Sequence, residues 1–181
     1  MMSRNGDTAL LDALAGAVRG LAKAEARGDL ASLRRLDLTV PASAVFYRIV
    51  ARHAPQREKP DDLRALALIL AMMALKPEAL APGRLGQTLA EANVSEARVQ
   101  RLLAARGETF RDLALRTSRL LARRETLPYR ELGLLVLART ETFAEEIRMR
   151  IARDYWGQRS GNGAVSDTDP ASNATETTRT E

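Results

Sequence analysis

The run Leu63–Leu75, LRALALILAMMAL, constrains the fold more than any other stretch of the chain. It is too short to cross a bilayer, which takes about 20 apolar residues, and it contains Arg64. A segment this apolar persists in water only when other elements cover nearly all of it. It therefore predicts the central, most buried helix, with Asp61 or Asp62 as its cap and Met72 and Met73 in the core.

The flanking stretches carry helical periodicity that can supply the cover. Ala9–Ala26 places Leu10, Leu11, Leu14, Val18 and Leu21 on one side, with Gly28 as its stop. Asp29 can cap a short helix Leu30–Leu36, and Pro41 breaks the chain before a helix from Ser43 to about Arg52. Segment 54–60 is a polar loop, as is the stretch around Pro77, Pro82 and Gly83; Leu85–Ala92 is short and helical. Pro128 suits the first turn of a helix Tyr129–Arg139, and Thr142–Trp156 has Phe143, Ile147, Ile151 and Tyr155 at i+4 spacing. Leu134–Leu137 could be read as a strand, but its setting between helices argues for helix. No repeat and no alternating strand pattern occurs. The expectation is an all-α fold: a single globular domain of about eight helices over residues 9–156, with a disordered polar C-terminal tail over 157–181.

At 181 residues and 45% hydrophobic content, the chain can bury one real core. Without cysteine it has no disulfide, thiol chemistry or cysteine metal site. The polar start Met1–Asp7 does not resemble a signal peptide, so a soluble, cytoplasmic protein without membrane contact is expected. Enzyme chemistry finds little support, and no cofactor is expected. His53 is the single histidine, and no P-loop, GxGxxG or calcium-loop pattern is present. Glu145–Glu146 and Asp61–Asp62 are adjacent pairs that cannot share a helix face.

Charge is the feature that points to a partner. The net charge is +5, but residues 157–181 set Arg159 and Arg179 against Asp167, Asp169, Glu176 and Glu181. Residues 1–156 thus hold 26 basic and 19 acidic side chains, a body at +7 that suits a polyanion. The densest stretch is Ser95–Arg124, with eight arginines (98, 101, 106, 111, 116, 119, 123 and 124) against Glu96, Glu108 and Asp112. Ser95 can cap a helix that Gly107 ends, and Thr109 with Asp112 can open a second. On that second helix Phe110, Leu113, Thr117, Leu120 and Leu121 share a packing side, with Arg116, Arg119 and Arg123 in a strip beside them. Only Asp112–Arg116 has good spacing for an internal pair, so the charge is one-sided. Arginine also suits bidentate phosphate contact. Aromatic residues are few, so contacts to phosphates, which carry affinity without reading sequence, would dominate over stacking.

In order along the chain stand D-L-A-S-L-R-R (29–35), F-Y-R-I-V-A-R (46–52), R-L-G-Q-T-L-A-E (84–91), S-E-A-R-V-Q-R-L-L-A-A-R-G (95–107) and R-x-R-I-A-R-D-Y-W (148–156). Together they resemble the CasB family, the small subunit of the type I-E CRISPR surveillance complex Cascade, over roughly residues 9–156. The resemblance implies a non-catalytic, all-helical subunit for antiviral defence. In the family two copies lie head to tail between the backbone subunits and the large subunit, which hold the guide RNA. They help hold the guide–target heteroduplex, and their basic surface stabilises the displaced DNA strand; cleavage belongs to a separate nuclease.

Residues expected on the nucleic-acid-binding surface are Arg34, Arg35, Arg48 and Arg52, then Arg98, Arg101, Arg116, Arg119 and Arg123. Among the first four, one or two are expected to form ion pairs with Glu25, Asp29 or Asp37. Arg124, Arg148, Arg150 and Arg153 are second-rank, and exposed leucines of Leu134–Leu137 are the expected face of a dimer. Two other readings stand beside this one. The turn 104–109 could belong to a helix-turn-helix regulator, or the basic face could serve a helical protein–protein adaptor.

Overall fold

The computed structural model describes residues 4–163, apart from 39 and 42. Nine α-helices carry the fold among them: α1 (Arg4–Lys23), α2 (Arg27–Arg34), α3 (Ala44–His53), α4 (Pro60–Met73), α5 (Leu85–Glu91), α6 (Glu96–Ala104), α7 (Gly107–Leu121), α8 (Arg130–Leu137) and α9 (Glu141–Gly163). The all-α expectation holds, with one small addition. The two-residue strands β1 (Leu80–Ala81) and β2 (Leu127–Pro128) pair in parallel, Leu80 opposite Leu127. A pairing this short leaves no period-2 pattern in the sequence to detect.

Helix α4 is the buried centre: every residue from Ala65 to Met73 is buried, and α1, α2, α3, α7 and α8 all pack on it. Lys59 occupies the cap position and Pro60 the first turn, so Asp61 and Asp62 lie inside the helix, where they complement its dipole. Asp62 also holds Arg139 at 2.8 Å.

Two glycines mark close approaches. A Cβ on Gly86 of α5 would lie 2.2 Å from the Ile151 carbonyl oxygen, so only glycine lets α5 seat on α9. Around that contact, Arg84 Nε lies 2.8 Å from Asp154 Oδ2, and Glu131 Oε2 accepts the Leu85 N–H at 2.7 Å. Glu131 of α8 thereby satisfies an orphan donor at the start of α5. Burial is the main cause that pushes the Glu131 carboxyl up, opposed by the Leu85 hydrogen bond. Between α1 and α8, Gly133 lies against the Leu11 side chain. Asp12 there accepts two bonds from Arg130, at 2.9 and 2.7 Å, and one from the Tyr129 hydroxyl at 2.8 Å. The Arg130 hydrogen bond holds Asp12 below the usual carboxylate range.

Several boundaries differ from the sequence expectation. The first helix begins five residues earlier, at Arg4, and ends at Lys23, stopped not by Gly28 but by Glu25, whose φ of +52° is left-handed. There Ala26 N–H bonds Leu21 O and Glu25 N–H bonds Ala22 O, the Schellman pattern. Pro128 lies in β2, outside α8. Leu134, Leu135 and Leu137 are buried, which overturns them as an exposed dimer face: α8 is clasped between α1, α4 and α9. The stripe of α9 is as expected, with Ile147, Ile151 and Tyr155 fully buried. That helix continues over 157–163, where a disordered tail was expected to begin; residues 164–181 of that tail lie outside the described residues.

Candidate nucleic-acid interface

The nine expected arginines divide by what their guanidinium groups already hold. Arg34 at the end of α2 donates from Nε to Ala74 O at 2.6 Å, satisfying a carbonyl at the C-terminus of α4. Arg48 of α3 pairs with Asp29 at 2.6 Å, the kind of pair expected for one or two of this group. Arg35 and Arg52 are exposed and have no partner among the described residues. The N-terminal group thus offers two free cations, and the other two first hold the fold together.

The C-terminal group is freer. Arg98, Arg101, Arg116, Arg119 and Arg123 are all exposed, with no acidic partner among the described residues. Asp112 and Arg116 do not pair; the ion pair on α7 is Glu108–Arg111 at 2.7 Å. Three of the five converge. Arg98 and Arg101 of α6 and Arg116 of α7 rim one open groove of ≈ 330 Å³, floored by Leu89, Val94, Val99, Leu102, Leu113, Thr117 and Leu120. Arg119 falls about 60° further round α7 than Arg116 and faces away from the groove rim. Arg123 lies beyond the end of α7, in the turn where its N–H bonds Leu120 O. It opens onto a neighbouring polar recess with Lys76, Arg124, Glu91 and Glu125, so the expected three-residue strip is broken at its last member.

Local chemistry builds the floor of the groove. Asn93 adopts a φ of +53° after α5, and Val94 N–H bonds Leu89 O at 3.0 Å. This Schellman ending brings Leu89 and Val94 together, as its hydrophobic contact requires. On α7 the buried stripe is Phe110, Ala114, Ser118 and Leu121. Leu113, Thr117 and Leu120, expected on that stripe, are half-buried and lie between it and Arg116. The small Ser118 and Ala114 were the signal for this rotation, since small residues let a helix seat closely.

The angle between α6 and α7 is pinned from outside. Ala105 and Arg106 link the helices, and Gly107 opens α7 with a left-handed φ of +54° in place of ending α6. Arg106 donates to Leu103 O and Ala105 O, and its guanidinium also holds Glu141 and Glu145 of α9. The hydrogen bond from Arg106 is the main cause that holds Glu141 below the usual carboxylate range. Arg148, expected as a second-rank surface residue, is buried and binds the same two carboxylates at 2.8 and 2.7 Å. Arg150 lies 3.7 Å from Glu131, and Arg124 donates to Ala92 O at 3.0 Å; Arg153 is exposed. The start of α7, which a helix-turn-helix would present to bases, carries buried Phe110 and the paired Arg111.

No helix among the described residues is long and apolar enough to cross a membrane, and none of their His, Asp or Glu side chains cluster as metal ligands. Neither the curated proteins nor the solved structures compared with the chain produced a match. A protein family does match: residues 29–156 fit the family described as CRISPR-associated protein Cse2. That span begins at the acidic partner of Arg48 and ends at Trp156, taking in the arginine groove and the α5–α9 contact. The chain belongs to the Cse2, or CasB, family, that of the small subunit of the CRISPR Cascade complex.

Proposed function

We propose that the groove between α6 and α7 holds the phosphate backbone of nucleic acid within a type I-E Cascade, where this subunit stabilises the R-loop and its displaced strand without catalysing a reaction. The observation that carries this reading is the convergence of Arg98, Arg101 and Arg116 with no carboxylate among the described residues to neutralise them. Guide RNA replaces one DNA strand in a nearly balanced exchange, so a few backbone contacts can decide whether the open state persists. Fixed guanidinium groups supply such contacts on any sequence. Arg35, Arg52, Arg119 and Arg123 extend the cationic surface, and Arg34 and Arg48 contribute after their structural duties. In the assembled complex the subunit sits against backbone and large subunits and a second copy of itself.

Salt dependence tests the surface. Each single-strand phosphate neutralised adds about 0.7 to the slope of log affinity against log salt. The variant R98A/R101A/R116A should therefore lose about 2 from that slope, with its helical circular dichroism unchanged. An unaltered slope would sink the groove as the interface.

A further inference from the structure

The groove offers fixed positive charge above an apolar floor, and the chain carries a segment of complementary character. Residues 164–181 hold Asp167, Asp169, Glu176 and Glu181 against Arg179, preceded by Val165. The segment departs from Gly163, the last residue of α9. One turn earlier, Arg159 lies 3.9 Å from Glu96, the first residue of α6, and 5.7 Å above the Tyr155 ring. The Tyr155 hydroxyl in turn donates to Val94 O, and Val94 belongs to the floor of the groove. The C-terminal end of α9 thus stands beside the first turn of α6, where Arg98 sits. A flexible chain of 18 residues has a root-mean-square reach of about 24 Å.

We infer that the acidic segment 164–181 docks in the Arg98–Arg101–Arg116 groove of its own chain and competes there with nucleic acid; this rests on the reading of the groove as a nucleic-acid interface. Carboxylates and phosphates make the same charge-assisted hydrogen bonds to guanidinium, so the two occupants exclude one another. A tethered segment acts at an effective concentration on the order of 1 mM, enough for a weak contact to matter. The free subunit is thereby held off stray nucleic acid. A strand delivered by an assembled complex is itself at high effective concentration and displaces the segment.

The test keeps the chain at full length. In D167N/D169N/E176Q/E181Q, a fluorescent single-stranded oligonucleotide should bind about two- to fivefold more tightly at low salt, as expected for loss of a tethered competitor. Added to R98A/R101A/R116A, the same four changes should alter nothing; an equal gain in that background would mean a general field effect and would overturn the docking. A direct readout is available because the sequence has no cysteine. A nitroxide on Ser172→Cys should broaden the Leu113 and Leu120 methyl signals independently of protein concentration, and excess oligonucleotide should restore them. Broadening that grows with protein concentration would assign the groove to a second copy's segment and contradict the proposal. No broadening and equal affinities would overturn it and leave nucleic-acid binding standing. Broadening with no oligonucleotide binding by either protein would instead refute the nucleic-acid interface, and with it the competition.

Discussion

Arg106 Nε donates to Glu141 Oε1 at 2.6 Å, tying the corner between α6 and α7 to the first turn of α9. The groove therefore owes its shape to a helix that contributes none of its lining side chains.

Two arginines grip the same carboxylates from different depths, and their loss should differ. Arg106 is half-exposed, so replacing it should cost little global stability, as exposed pairs usually do. Arg148 is buried with 8% side-chain exposure, and Arg148→Ala should cost about 1–2 kcal/mol through lost packing and lost hydrogen bonds. The distinguishing result lies in binding: Arg106→Ala should weaken oligonucleotide affinity more than it lowers the thermal midpoint. Wild-type affinity in Arg106→Ala would show that the corner does not need this pin.

The two close-approach glycines make an ordered pair. Gly86→Ala drives a methyl group into the backbone of α9 and should destabilise the fold by about 3 kcal/mol. Gly133→Ala presses its methyl group on the Leu11 side chain, whose nearest atoms would lie 2.5 and 2.9 Å away, and not on backbone, and should cost less, about 1–2 kcal/mol. Urea unfolding of both variants checks the order, and a reversal would contradict the α5–α9 contact.

Glu131 makes a pH prediction. Its carboxyl is pushed up chiefly by burial, so the folded state binds its proton more tightly than the unfolded state does. Its contribution to stability is full below the ordinary glutamate range and declines as pH rises through the elevated value. Glu131→Gln keeps an acceptor for the Leu85 N–H and should gain relative to wild type across that rise. Glu131→Ala strands that N–H and should lose about 2 kcal/mol at neutral pH. Parallel stability curves for wild type and Glu131→Gln between pH 4 and 7 would refute the shift.

The helical framework was legible because it rests on local periodicity: Leu63–Leu75 announced α4, and the i+4 stripe from Phe143 announced α9. Helix ends were less legible. Glu25 and Asn93 take the left-handed positions that glycine usually marks, and Gly107 serves the start of a helix where it was expected to stop one. At the site, one-sided arginine content over Ser95–Arg124 predicted exposed cations correctly, yet not which were spoken for. Arg106 and Arg148 are claimed by Glu141 and Glu145, and Arg34 by a carbonyl of α4. The Arg106 and Arg34 partners lie far away in sequence, where helical spacing carries no information. The leucines of α8 misled for a related reason, since a run of leucine reads alike whether solvent or α1 covers it.

The role of the groove is read from the lifetime of the R-loop in assembled Cascade, with the small subunit wild type, R98A/R101A/R116A, or absent, at two salt concentrations. The groove account predicts that the triple variant assembles normally, yet shortens the lifetime nearly as much as omission does, and that raising salt shortens the wild-type lifetime toward the same value. A triple variant that assembles and sustains the R-loop as wild type does would contradict the account.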